Sequence, residues 1–172
     1  MKSSILFVGA LFLSSAPATA QTVTDAQIAS IVVTANQVDI DAGKLAASSS
    51  KNADVRKFAE LMVRDHTGVN RQAVALVTRL KVTPQDNETS RSLAAGGETN
   101  IATLKGLKGA DFDKSYVDHE VAYHQAVLDA VDKTLIPNAK NDDLKALLVK
   151  VRPAFVAHLE HAKHVAASLS GK

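Results

Sequence analysis

The stretch Val55-Arg56-Lys57-Phe58-Ala59-Glu60-Leu61-Met62-Val63-Arg64-Asp65-His66-Thr67-Gly68-Val69 decides the fold. Its apolar residues Val55, Phe58, Met62 and Val69 belong to a row that continues through Ala73, Leu76 and Leu80. Steps of three and four return these side chains to one face of a helix, so the segment reads as a long amphipathic helix from about Asn52 to Leu80. One member breaks the pattern. His66 stands where the row calls for an apolar side chain.

Working outward, three more helices of similar length emerge. The first runs from Thr24 to about Ser49, with Thr24 and Gln27 spaced as a capping box. One of its rows is Ile28, Val32, Ala35, Asp39, Ala42 and Ala46. The third helix begins near Asp111 and ends before Pro137, with the row Val117, Val121, His124, Leu128, Val131 and Leu135. The fourth begins near Asn141, a natural N-cap, and carries Leu144, Leu148, Val151, Phe155, His158, Ala162, Val165 and Leu169. Pro153 lies inside it and is expected to kink it, freeing the carbonyl of Val149. Residues 85–110 form a long connection, with a short helix around Ser92 to Leu104 and a bend at Gly96-Gly97. The pattern predicts an all-α chain: a ferritin-like four-helix bundle with a long crossover between helices 2 and 3. Two helical hairpins packed side by side without a crossover are the alternative.

His66, His124 and His158 each replace an apolar residue in a core row, and each lies near the middle of its helix. Middles of antiparallel helices sit at one height, so the three imidazoles are expected to converge at the bundle centre. Asp39 lies near the middle of helix 1 and can join them. A buried imidazole needs partners for both ring nitrogens. Three meeting in one layer are satisfied together by one divalent transition metal, with Zn, Cu and Fe all suited to imidazole and carboxylate. Protons compete for the same nitrogens, so such a metal is expected to leave below about pH 6. The competing reading is a structural polar layer, the histidines bonded to one another, to Asp39, Asp65 or Tyr123, and to water. Of the remaining histidines, His119 reads as a flank residue packed on tyrosine, and His161 and His164 as exposed. A dinuclear iron site would need Glu-x-x-His pairs on two helices, and the rows do not carry them.

Composition narrows the rest. The chain has 172 residues, net charge +2, 46% hydrophobic and 4% aromatic residues, and no cysteine. Near-neutrality argues against a nucleic-acid partner, which demands a basic stripe. Absence of cysteine excludes disulfides, thiolate metal sites and thiol nucleophiles. Residues 1–20 read as a signal peptide: Lys2, the apolar run Ile5 to Leu13, then Ala18 and Ala20 in small-x-small spacing. The mature chain, residues 21–172, reads as one helical-bundle domain with no membrane span, exported to the periplasm. There is no phosphate-binding glycine loop and no nucleophile elbow.

These same residues carry a resemblance. Gly43-Lys44-Leu45-Ala46, Val55 to Ala59 with Met62 to His66, and Asn70 resemble an exported, ferritin-like bacterial family catalogued as domain of unknown function 4142. Leu104 to Gly109, Phe112-Asp113, Tyr116, His124-Gln125 and Pro153 with His158-Leu159 extend the likeness. Members are often labelled predicted outer-membrane proteins, a label that the missing period-2 alternation does not support. The resemblance implies a ferritin-like bundle, export and no assigned activity. It places family histidines at His66, His124 and His158, and a family Glu at Asp39, one methylene shorter here.

The leading expectation is an exported bundle that binds a divalent metal through His66, His124, His158 and Asp39. A second is a structural or stress-related interaction module with a histidine layer and no metal. A third is a ferritin-type redox enzyme. A homo-oligomer and a protein partner are left open.

Overall fold

A computed structural model describes residues 22–171, and the expected signal segment lies outside them. The chain is all helical, with no strand among the described residues. Helix α1 spans Asp25–Ser49, α2 Ala53–Leu80, α3 Glu88–Lys105 and α4 Gly109–Ala130. A π-helical turn, Val131–Leu135, and a short α5, Ile136–Asn138, prolong α4 before α6, Asp142–Ser170. No helix of the described residues is long and apolar enough to cross a membrane.

The helix starts follow from local hydrogen bonding. Thr24 and Gln27 form the reciprocal capping box that their spacing implies. Asn52 and Asn141 each cap the first turn of α2 and α6 by accepting from two backbone amides. One start was not anticipated. Asn87 and Ser90 form a second capping box, so α3 begins at Glu88 rather than near Ser92. Gly96-Gly97 is not a bend, as the sequence suggested, but lies inside α3. A Cβ at Gly97 would stand 2.8 Å from a Val38 methyl, so the missing side chain lets α3 close on α1. Gly43 does the same between α1 and α2, where a Cβ would meet Val63 at 2.9 Å and the Ala59 carbonyl at 3.1 Å. α6 continues through Pro153, which sits on the exposed face beside the half-exposed Val149.

α1 packs on α2 and α3, α4 on α6, and α2 on α6. The N-terminus of α1 lies beside the end of α2, where the Gln85 amide donates to the Ala26 carbonyl at 2.9 Å. The Asp25 carboxylate accepts from the amides of Lys140 and Asn141 at 2.9 and 3.0 Å, placing the start of α6 at that same end. α1 and α6 therefore run in one direction and α2 in the other. The core divides into two apolar clusters along this axis. One gathers Ile28, Val69, Leu76, Leu128, Leu148 and Phe155. The other gathers Ala46, Phe58, Met62, Tyr116, Val117 and Val165. On α2 and α4 the histidine of the core row lies between the two clusters in sequence, and on α6 it lies at the edge of the first, between Phe155 and Leu159.

Candidate metal centre

The apolar rows of α2, α4 and α6 drive these helices together, and each row brings one histidine inward with it. His66, His124 and His158 are all buried, at 3%, 1% and 4% exposure, and Asp39 of α1 is at 2%. The three ring centroids are 5.2–5.5 Å apart. His66 also stacks on Phe155, the rings nearly parallel with centroids 5.4 Å apart. The four residues singled out in the sequence thus meet in one layer.

Each imidazole has one nitrogen held by an acceptor. Asn36 is oriented because its amide donates to the Val32 carbonyl at 2.7 Å, leaving Oδ1 to accept from His66 Nδ1 at 2.8 Å. His124 Nδ1 donates to the backbone carbonyl of Glu120 at 3.0 Å. His158 Nε2 donates to Asp65 Oδ2 at 3.1 Å, and Arg64 holds Asp65 in turn at 2.8 Å. A neutral ring that donates through one nitrogen has a bare lone pair on the other. The bare atoms are His66 Nε2, His124 Nε2 and His158 Nδ1, and none has a hydrogen-bond partner. Both oxygens of Asp39 and Oε2 of Glu120 also lack a donor while ionised, and a proton on either carboxyl lets the two bond to each other. Asp39 Oδ2 lies 3.0 Å from His66 Nε2 and 3.5 Å from His124 Nε2, close contacts without hydrogen-bond alignment.

Burial keeps the rings neutral. It pushes His66 well below its ordinary value, with His124 and His158 adding to the effect. Burial takes His124 down to about 4, and it lowers His158 against the opposing pull of Asp65. The carboxyl groups move the other way. Burial raises Asp39 to about 7, and raises Glu120 well above the usual carboxylate range, helped by the charge of Asp39. At neutral pH the layer is thus a set of uncharged imidazoles beside two carboxyl groups that resist ionising. Partial burial of Asp65 is outweighed by Arg64 and His158, which hold it below its ordinary value.

One ring nitrogen from each of His66, His124 and His158 lies within 4.8 Å of the others. A second overlapping group is Asp39, Glu120 and His124, whose ligand atoms also fall within 4.8 Å of one another. Ligands on one metal at about 2.1 Å stand about 3.4 Å apart when tetrahedral. Small side-chain rotations close that gap.

A sequence model of the family called domain of unknown function DUF4142 matches residues 11–165. The chain belongs to the DUF4142 family. No curated protein and no solved structure matches it. In this DUF4142 chain two participants escaped the sequence reading. Asn36 stands three residues before Asp39 and Glu120 four before His124. That spacing puts each on the face of its site neighbour, which is the signal that would have found them. Phe155, expected in the core row, also stacks on His66. His119 stacks on Tyr123 at 5.7 Å, as its position suggested, while His161 packs edge-on against Phe58.

Proposed function

We propose that this DUF4142 chain is an exported, ferritin-like bundle that holds one divalent transition metal through His66, His124 and His158, with Asp39 completing the shell. Four helices, α1, α2, α4 and α6, form the bundle, and α3 is its long crossover, lying along α1. Three neutral imidazoles and a carboxylate suit Zn, Cu or Fe.

The observation that carries the reading is the tautomer pattern. All three histidines give their proton to an outer acceptor, and all three turn a bare nitrogen to the interior. Metal-bound histidines are built this way, their other N–H donated to a carboxylate or carbonyl. A purely structural layer needs a donor for each of the three bare nitrogens, and the carboxyl protons of Asp39 and Glu120 number at most two. Each bare imidazole nitrogen left without a donor costs about 1–3 kcal/mol. One cation removes most of that cost. Its two charges would also be matched by ionised Asp39 and Glu120.

Export to the periplasm rests on Lys2, the run Ile5 to Leu13 and the spacing of Ala18 and Ala20. Near-neutral charge speaks for a partner other than nucleic acid. Metal analysis tests the reading on mature protein purified without a histidine tag, after incubation with Zn²⁺, Cu²⁺ or Fe²⁺. One metal per chain, lost in His124→Ala, is expected. Metal at background in every case overturns it.

A further inference from the structure

A cavity of about 130 Å³ adjoins the histidine layer on the side toward the start of α1. Its walls come from α1, α2, α3, α4, the π turn and α6, and are aliphatic apart from Phe155, Tyr123, Thr89 and the inner end. That inner end reaches Asn36, Asp39, His66 and His124. No lysine or arginine lines it. Exposed Thr89 and Ala126 form part of the lining between α3 and α4, so the chamber is approached from that side.

Two features set this space apart from a packing gap. α4 leaves regular helical geometry at the π turn Val131–Leu135, and both end residues of that turn line the cavity. A π turn inserts an extra residue into a helical turn, and such turns gather at functional sites. The inner end also carries unpartnered atoms of Asp39, His66 and His124, whose side chains are at most 4% exposed. Native cores hold few voids larger than a water molecule, because each one forfeits contacts.

We propose that this cavity binds a small, neutral, apolar molecule, no larger than about benzene, and holds it against the histidine layer. Size sets the upper bound, since a cavity of about 150 Å³ lined by Leu, Ile and Phe takes up benzene or xenon. Wall chemistry sets the charge, since an anion entering here loses its hydration and finds no lysine or arginine in the lining, and the aliphatic walls offer a cation no carboxylate short of the histidine layer. The occupant's inner edge meets the bare nitrogens of His66 and His124. With a metal bound there, the same edge faces the metal. The binding step itself does not depend on the metal.

The experiment uses metal-stripped mature protein, so its result is separable from that of the metal analysis. Benzene is titrated while methyl resonances are followed by NMR, with benzoate as the charged counterpart. Benzene is expected to shift the methyls of Val131, Leu135 and Val151 saturably and to raise the melting temperature, and benzoate to do neither. Ala130→Leu and Val127→Phe each fill the chamber and are expected to weaken the benzene response at least ten-fold while retaining native helical circular dichroism. Two substitutions on different turns guard against one that fails to fold. Absence of saturable methyl shifts with benzene overturns the proposal. So does a response undiminished in a folded cavity-filling variant.

Discussion

Replacing Asp39 by Asn in metal-free protein isolates the electrostatic cost of the site. Asn keeps the shape of Asp but cannot ionise. In the wild-type fold burial raises Asp39 from 3.8 to about 7. The folded state therefore holds this proton more tightly than the unfolded chain, and unfolding releases it between those two values. Stability falls as pH rises across that window, and the loss is complete above about pH 7. At 1.36 kcal/mol per unit, the penalty grows from about 2 kcal/mol near pH 5 to about 4 kcal/mol near pH 8.5. Asp39→Asn escapes it. Relative to wild type, the metal-free variant should gain about 2–3 kcal/mol between the two pH values, whatever constant cost the amide adds. Urea unfolding of both proteins in chelator at the two pH values measures this double difference. In metal-loaded protein the order reverses, because the variant has lost a carboxylate ligand. A stability difference independent of pH would refute the reasoning.

Other outcomes follow from the same geometry. Asp65→Ala removes the acceptor that fixes His158, and metal affinity should drop about 10–100-fold in competition titrations. Urea unfolding of that metal-free variant should show a loss of about 1–3 kcal/mol, since the buried His158 Nε2–H is left without its acceptor. Gly43→Ala drives a Cβ into Val63 and the Ala59 carbonyl and should destabilise by about 1–3 kcal/mol. Gly68→Ala meets nothing within 4 Å and should stabilise by up to about 1 kcal/mol, as read from urea midpoints. Burial moves metal release to lower pH than a free histidine would give. With His124 at about 4, metal should survive dialysis near pH 5 and leave toward pH 4.

Much of this was legible because helix period and core burial are one constraint. The row through Val55, Phe58 and Met62 must face inward, so His66 must as well, and the same logic places His124 and His158. Equal helix lengths then put the three at one height. Asp39 was legible for the same reason. Asn36 and Glu120 were not, because they stand beside the rows rather than in them, and polar residues at such flanks usually face water. Their inward rotation depends on how α1 and α4 turn toward the centre, which depends on the partner helices. α3 was read too short because Asn87 and Ser90 lie in a polar stretch that also suits a loop. Gly97 misled for a physical reason: the same missing side chain that favours a bend also permits the approach to Val38. The π turn left no trace in the apolar row, since Leu128, Val131 and Leu135 keep helical spacing through it.

The central claim is that three bare imidazole nitrogens share one cation. Crystals of the mature protein grown with Zn²⁺, and diffraction recorded at the zinc absorption edge, test it most directly. The account predicts one anomalous peak per chain in the buried layer, about 2.0–2.1 Å from nitrogens of His66, His124 and His158. A peak confined to surface histidines such as His164, with the buried layer bare, would contradict it.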